Sequence, residues 1–197
     1  LSSCIAHELY ANCLKQFLLN CSKAFEQIDE AKRLIFLLQW CRFERLLLTM
    51  EKLNKKLSTE FIQKGRKRFK SLLKLPKNRN SLHLYVEFAL YELEAGADGE
   101  NIENIFKNLL EAYNKDENLQ SELAYVYLTY AKILLKWHNT EKLAEVLSAY
   151  ALNLDVTQIG SITNARKLAA ITTVKETLDK TIKIEQNVEI ITMEQHF

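Results

Sequence analysis

The stretch LPKNRNSLHLYVEFALYELEAG, Leu75 to Gly96, decides the fold class. Pro76 disfavours helical geometry at Leu75, so a preceding helix must end there. Asn80 or Ser81 is suited to cap a new helix, and Gly96 stands where a left-handed residue closes one. Between these signals lie Tyr85, Phe88, Ala89 and Glu92, a helical spacing of aromatic and small residues. The same kinds of residue recur in both directions. Trp40, with Phe43 and Glu44 behind it, precedes Tyr85 by 45 positions, and Tyr127, with Tyr130 and Ala131, follows it by 42. A second apolar line, Ile102, Ile105, Phe106, Leu109 and Leu110, comes after Gly96 and is matched by Phe69 upstream and Leu147 downstream. Helix pairs recurring every 35–45 residues are the mark of an α-solenoid, whose units bury their apolar faces only by stacking.

The expectation is therefore an all-α chain, a single helical-repeat array of antiparallel helix pairs over residues 1–197, cut from a longer polypeptide. Helices are predicted over about residues 3–20, 28–53, 59–74, 81–95, 101–113, 118–137, 140–152 and 164–183. Ser58 or Thr59 and Asn139 or Thr140 are suited to open two of them. Gly65 falls on the core line Phe61, Gly65, Phe69 and Leu72. A helical glycine costs about 1 kcal/mol against alanine, so Gly65 reads as a place where two helices approach closely. Trp40, Phe69, Tyr85, Phe88, Phe106, Tyr127 and Leu147 are expected to be buried at contacts between helices. Val156–Ser161 reads as a longer connection, and the tail from Glu185 as a final helix or a frayed end.

Composition agrees. One proline and four glycines in 197 residues leave little room for hairpin turns, and 48 % apolar with 26 % charged residues suits a folded core. No run approaches the eighteen apolar residues of a bilayer span. Cys4, Cys13, Cys21 and Cys41 have no paired metal-ligand spacing and read as small buried hydrophobes. The histidines are scattered at 7, 83, 138 and 196, and the chain has no phosphate loop, nucleophile elbow or His-Glu-x-x-His pair. Neither catalysis nor a cofactor or metal is expected.

The charge is uneven. Phe61–Val86 contains Lys64, Arg66, Lys67, Arg68, Lys70, Lys74, Lys77 and Arg79 without an acidic residue, in a chain of net charge +2. Arg66, Lys67, Lys70, Lys74 and Lys77 are candidates for an electropositive ridge that contacts an acidic partner segment or RNA phosphates. The plain alternative is a solvated helix face. Aromatic side chains at core spacing are not free to stack on bases, so RNA contact is expected to be weak or indirect. Tyr125, Tyr127 and Tyr130 cannot all face one groove, and Tyr125 is expected to show its ring at the surface as a partner anchor.

The pattern aromatic-x-x-aromatic-Ala-x-x-Glu at Tyr85–Glu92, followed by Ile105-Phe106 and Leu109-Leu110, resembles the half-a-tetratricopeptide (HAT) repeats of RNA-processing scaffolds. The segment from Phe69 through Pro76 to Leu82 is similar to the junction between two such repeats in the nuclear RNA-interference-defective family of HAT proteins. This likeness covers Gly65–Leu110; elsewhere only the repeat pattern agrees. Where the family has tryptophan at the first aromatic position, this chain has Tyr85, and only Trp40 keeps the indole. The resemblance implies a nuclear, non-catalytic scaffold for protein partners in RNA surveillance and gene silencing. It further implies an association with the RNA helicase of the nuclear exosome, through a region outside these residues.

Overall fold

A computed structural model describes residues 2–113, 119–152, 162–173 and 175, with the backbone alone for 2–7, 120 and 121. Every extended element among them is helical. The helices are α1 (Ser2–Phe25), α2 (Glu30–Leu53), α3 (Thr59–Leu73), α4 (Leu82–Glu94), α5 (Gly99–Tyr113), α6 (Gln120–Lys136) and α7 (Thr140–Ala151), with a 3-10 turn at Pro76–Asn78. Residues 164–173 are also helical. The predicted connection Val156–Ser161, the rest of the last predicted helix and the tail from Glu185 lie outside the described residues, as do the side chains of Cys4 and His7.

Contacts divide the chain into two compact units, Leu1–Leu109 and Leu110–Phe197. In the first, α2 packs against α1 on one side and α4 on another, and α3 packs against both α2 and α4. Its core gathers Trp40, Leu48, Phe69, Leu84 and Tyr91. The Phe69 ring is central, 5.6 Å from Trp40, 5.8 Å from Phe88 and 4.9 Å from Tyr91. Along α5, Ile102, Phe106 and Leu109 are buried. In the second unit α6 packs on α7, with Val126, Tyr127, Tyr130 and Leu134 buried and the rings of Tyr127 and Tyr150 5.2 Å apart.

The helix ends explain why the breaks fall where they do. Ser58 accepts a hydrogen bond from the Phe61 N–H, Asp98 from that of Asn101, and Asn139 from that of Lys142, so α3, α5 and α7 each open on a side-chain cap. Each of these caps follows a helix that ends in the same way. After α2, α4 and α6 a left-handed residue, Lys55 (φ 56°), Gly96 (φ 85°) or His138 (φ 56°), turns the chain. At all three the two bonds of a Schellman motif form: Lys56 N–H to Glu51 O with Lys55 N–H to Lys52 O; Ala97 to Glu92 with Gly96 to Leu93; and Asn139 to Leu134 with His138 to Leu135. The three turns stand 41 and 42 residues apart. Measured from them, Tyr85 and Tyr127 are equivalent, whereas Trp40 lies one helical turn further from its turn than they do. A helical turn preserves the face, so Trp40 still reaches the core.

Burial departs from expectation in particular places. Trp40, Phe69, Phe106 and Tyr127 are buried and Tyr85 and Phe88 are partly buried, but Leu147 is 36 % exposed. The buried line of α7 runs through Val146 and Ala149, and its neighbour Leu147 lies about 100° round the helix. On α1, Cys13, expected to be buried, is exposed together with Leu9 and Phe17, while Leu14 and Leu18 are partly buried, because the helix turns only one side to α2. Of the described cysteines only Cys41 is buried; Cys13 is exposed and Cys21 intermediate.

Candidate protein-binding surface

The basic segment divides by residue type around α3. Gly65, Phe69, Leu72 and Leu73 form the buried side of the helix. Arg66 and Arg68 are two residues apart, about 200° round a helix, so they leave the two edges of that side in different directions. Arg68 donates to Glu44 of α2 at 2.6 Å. Arg66 donates to Glu92 of α4, Nε to both carboxylate oxygens at 2.9 Å and Nη2 to one at 2.6 Å. One helix is thereby braced to two neighbours by charge-assisted hydrogen bonds.

Both carboxylates are shielded: the Glu44 side chain is 0 % exposed and that of Glu92 9 %. Glu44 also has Lys15 of α1 at 3.6 Å. A third buried carboxylate, Glu87 of α4, accepts from Arg42 at 3.1 Å and Arg45 at 2.7 Å, and Arg45 reaches Glu94 at 2.6 Å. Unpaired, such groups would cost several kcal/mol each to bury. Burial pulls the Arg45 guanidinium towards lower pKa, but its bonds to Glu94 and Glu87 more than offset this. The Arg66 guanidinium is raised by its bonds to Glu92. Burial pushes the Cys41 thiol well up, reinforced by Glu87 and Glu44, which leaves it protonated and unreactive.

Gly65 sits under the end of the Tyr91 ring. A Cβ there would meet the Tyr91 hydroxyl oxygen and Cζ far inside van der Waals contact, so the glycine makes room for a side-chain end and not for the close approach of two helices expected from the sequence. The hydroxyl donates to the Ile62 carbonyl at 3.2 Å. Burial, aided by the nearby Glu44 carboxylate, pushes Tyr91 up to about 12. Below this contact the 3-10 turn is locked by Asn78, fully buried, which accepts from Arg33 at 2.7 Å and donates to the Leu72 carbonyl at 2.9 Å.

The ridge predicted from sequence is therefore smaller than its composition. Arg66, expected on it, is turned inward with its side chain only 28 % exposed. Lys77 is drawn to Glu26, 3.1 Å from its backbone oxygen and 3.5 Å from its carboxylate, and Lys64 pairs with Glu60 at 2.8 Å. Lys67, Lys70 and Lys74 are exposed and have no ion pair among the described residues. They stand three and four apart and so form one stripe on the outer side of α3. Tyr125, in the other unit, is partly buried rather than open and is engaged in a contact of its own. The buried acids Glu44, Glu87 and Glu92 were not singled out as a set by sequence reasoning. The available signal was that each stands beside buried apolar positions at helical spacing.

Among the described residues no group of three or more His, Cys, Asp or Glu is arranged to hold a metal ion, and no helix is long and apolar enough to cross a membrane. Comparison with family models, with curated proteins and with solved structures gave no match.

Proposed function

We propose that this chain is a non-catalytic HAT-repeat scaffold, an α-solenoid of helix pairs, that binds partner proteins in nuclear RNA processing, RNA surveillance or RNA-interference-mediated silencing. The observation that carries the repeat reading is the recurrence of one turn. Lys55, Gly96 and His138 close the first helix of three successive pairs with the same two backbone bonds, at spacings of 41 and 42 residues. That is the period of a helix-pair repeat. The bracing of α3 to both α2 and α4 supports it further, since stacked pairs hold together when the second helix of one touches the first helix of the next. The nuclear setting and the RNA-processing role rest on the likeness of Gly65–Leu110 to the HAT family.

The alternative, an RNA-binding module built on residues 64–79, is supported less. Of the basic residues there, Arg66 and Arg68 are held by carboxylates. The test is affinity purification of the chain from nuclear extract, with and without nuclease. The scaffold reading expects the same proteins to be recovered in both; recovery abolished by nuclease would reverse the order of the two readings.

A further inference from the structure

We infer that the outer face of α3, the stripe Lys67, Lys70 and Lys74, is the docking site for an acidic helical segment of a partner protein. This rests on the protein-binding reading above and names the chemistry of the partner. The stripe spans about 10 Å along the helix, at a rise of about 1.5 Å per residue. Glutamates spaced three and four apart on an opposing helix repeat its geometry, so three ion pairs form without either backbone changing shape. Among the described residues nothing on the face competes with them. Gln63 and Ser71, exposed beside the stripe, are neutral, and the acid at the start of the helix, Glu60, is already paired with Lys64.

Two observations favour a carboxylate-bearing protein segment over RNA. Bidentate recognition of phosphate is a property of arginine, and both arginines of α3 are turned inward onto Glu44 and Glu92. Lysine remains outside, a point charge on a flexible stem that pairs with single carboxylates. Single-stranded RNA also needs aromatic surfaces on which bases stack, and the exposed face of α3 carries none.

The experiment measures fluorescence anisotropy of the full chain with two labelled probes. One is a fourteen-residue alanine-based peptide with glutamates three and four positions apart; the other is a twelve-residue oligouridylate. The peptide is expected to bind saturably at low salt. Replacing Lys67, Lys70 and Lys74 with glutamine should weaken it about tenfold, each exposed pair contributing a factor of about two. Ser71→Glu places a negative charge within the stripe and leaves all three lysines in place. It should weaken the peptide about twofold or more, by like-charge opposition of similar size. Replacing Lys23, Lys132 and Lys136 with glutamine removes the same charge elsewhere and should change nothing.

Absence of peptide binding, or equal weakening by the two triple variants, would overturn the inference. So would tighter binding of the oligouridylate that the α3 variant abolishes, with a log–log salt slope of about −2 for three contacts at roughly −0.7 each. If the α3 variant recovers the same proteins from nuclear extract as the wild type while the peptide result is negative, this face is removed and the scaffold reading stands.

Discussion

The inner and outer sides of α3 carry the same sign of charge and differ in what surrounds it. Arg66 and Arg68 sit at the edges of a core formed by Gly65, Phe69 and Leu72, and each meets a shielded carboxylate on a different neighbour. Lys67, one residue on from Arg66, faces water with Lys70 and Lys74. Burial makes the difference. A charge at the core edge must be paired or it destabilises the fold, whereas a charge in water is screened and worth little. Sequence composition adds the two populations together, and only their positions round the helix separate them. The inner population holds helices in place, and the outer one is left to meet something else.

The strongest way to break this contrast is to crowd the inner side. Gly65→Ala should destabilise the chain by about 3 kcal/mol, the upper part of the range for overpacking. Ordinarily the same change in a helix interior gains about 1 kcal/mol from propensity. The cost arises because the methyl group would occupy the place of the Tyr91 ring end, and that ring is fully buried. Thermal or denaturant unfolding measures it. In a Tyr91→Leu background the ring end is gone, and the same substitution should turn neutral or stabilising. Equal costs in both backgrounds would mean that Tyr91 does not press on Gly65.

Next in size is Arg66→Gln. It leaves the Glu92 carboxylate, 9 % exposed, without its guanidinium. Breaking a fully buried pair costs about 3–5 kcal/mol and an exposed one less than about 1. The Arg66 side chain is 28 % exposed, so the expected loss is about 2 kcal/mol. A double change that also replaces Glu92 with glutamine should recover part of it. A loss below about 0.5 kcal/mol would place Arg66 with the outer lysines and dissolve the comparison.

How much of this was legible in the sequence follows from the range of the forces involved. Helix bounds are set by local chemistry, so Ser58, Asn139, Gly96 and Pro76 marked them within a residue or two. Gly65 was legible as a place that needs room, because a glycine on a core line needs a reason, but the occupant of that room, the Tyr91 ring end instead of a neighbouring helix backbone, was not. The left-handed turns at Lys55 and His138 were not, since neither residue type advertises that conformation as glycine does. The partners of Arg66 and Arg68 lie 26 and 24 residues away on different helices, and no local pattern connects them. The ridge was overestimated for that reason. Leu147 was misplaced by a single residue, which on a helix is a rotation of about 100°, enough to carry a side chain out of the core.

Tyr91 offers a probe of the inner side through pH. Its phenol ionises near 10 in the unfolded chain and is pushed up to about 12 in the fold. A group with a raised folded pKa contributes its stability fully below the unfolded value and loses it as pH climbs towards the folded one. Between pH 10 and 12 the unfolded state sheds the proton first, and stability should fall by about 1 kcal/mol at roughly pH 11. Tyr91→Phe should remove this alkaline slope, while costing about 1 kcal/mol at neutral pH for the bond to the Ile62 carbonyl. An unchanged slope in the variant would assign the alkaline loss to other groups and remove Tyr91 from the set of shielded side chains.

The smallest effect belongs to the outer side. Replacing Lys67, Lys70 and Lys74 with glutamine removes three positive charges, whereas Arg66→Gln removes one, yet the change in unfolding free energy should stay within about 0.5 kcal/mol. Glutamine is nearly as good a helix former as lysine, so propensity does not intervene. All three side chains reach water in the fold as they do in the unfolded chain, and no acid among the described residues is orphaned by their loss. Mutual repulsion among three lysines on one stripe even tilts the expected sign slightly towards stabilisation. Equilibrium denaturation of the triple variant beside Arg66→Gln is therefore the sharpest form of the comparison, because both changes convert cations to amides on one helix. If the triple variant loses as much as the single one, the outer lysines are structural, and a face that the fold needs is a poor candidate for one that a partner uses.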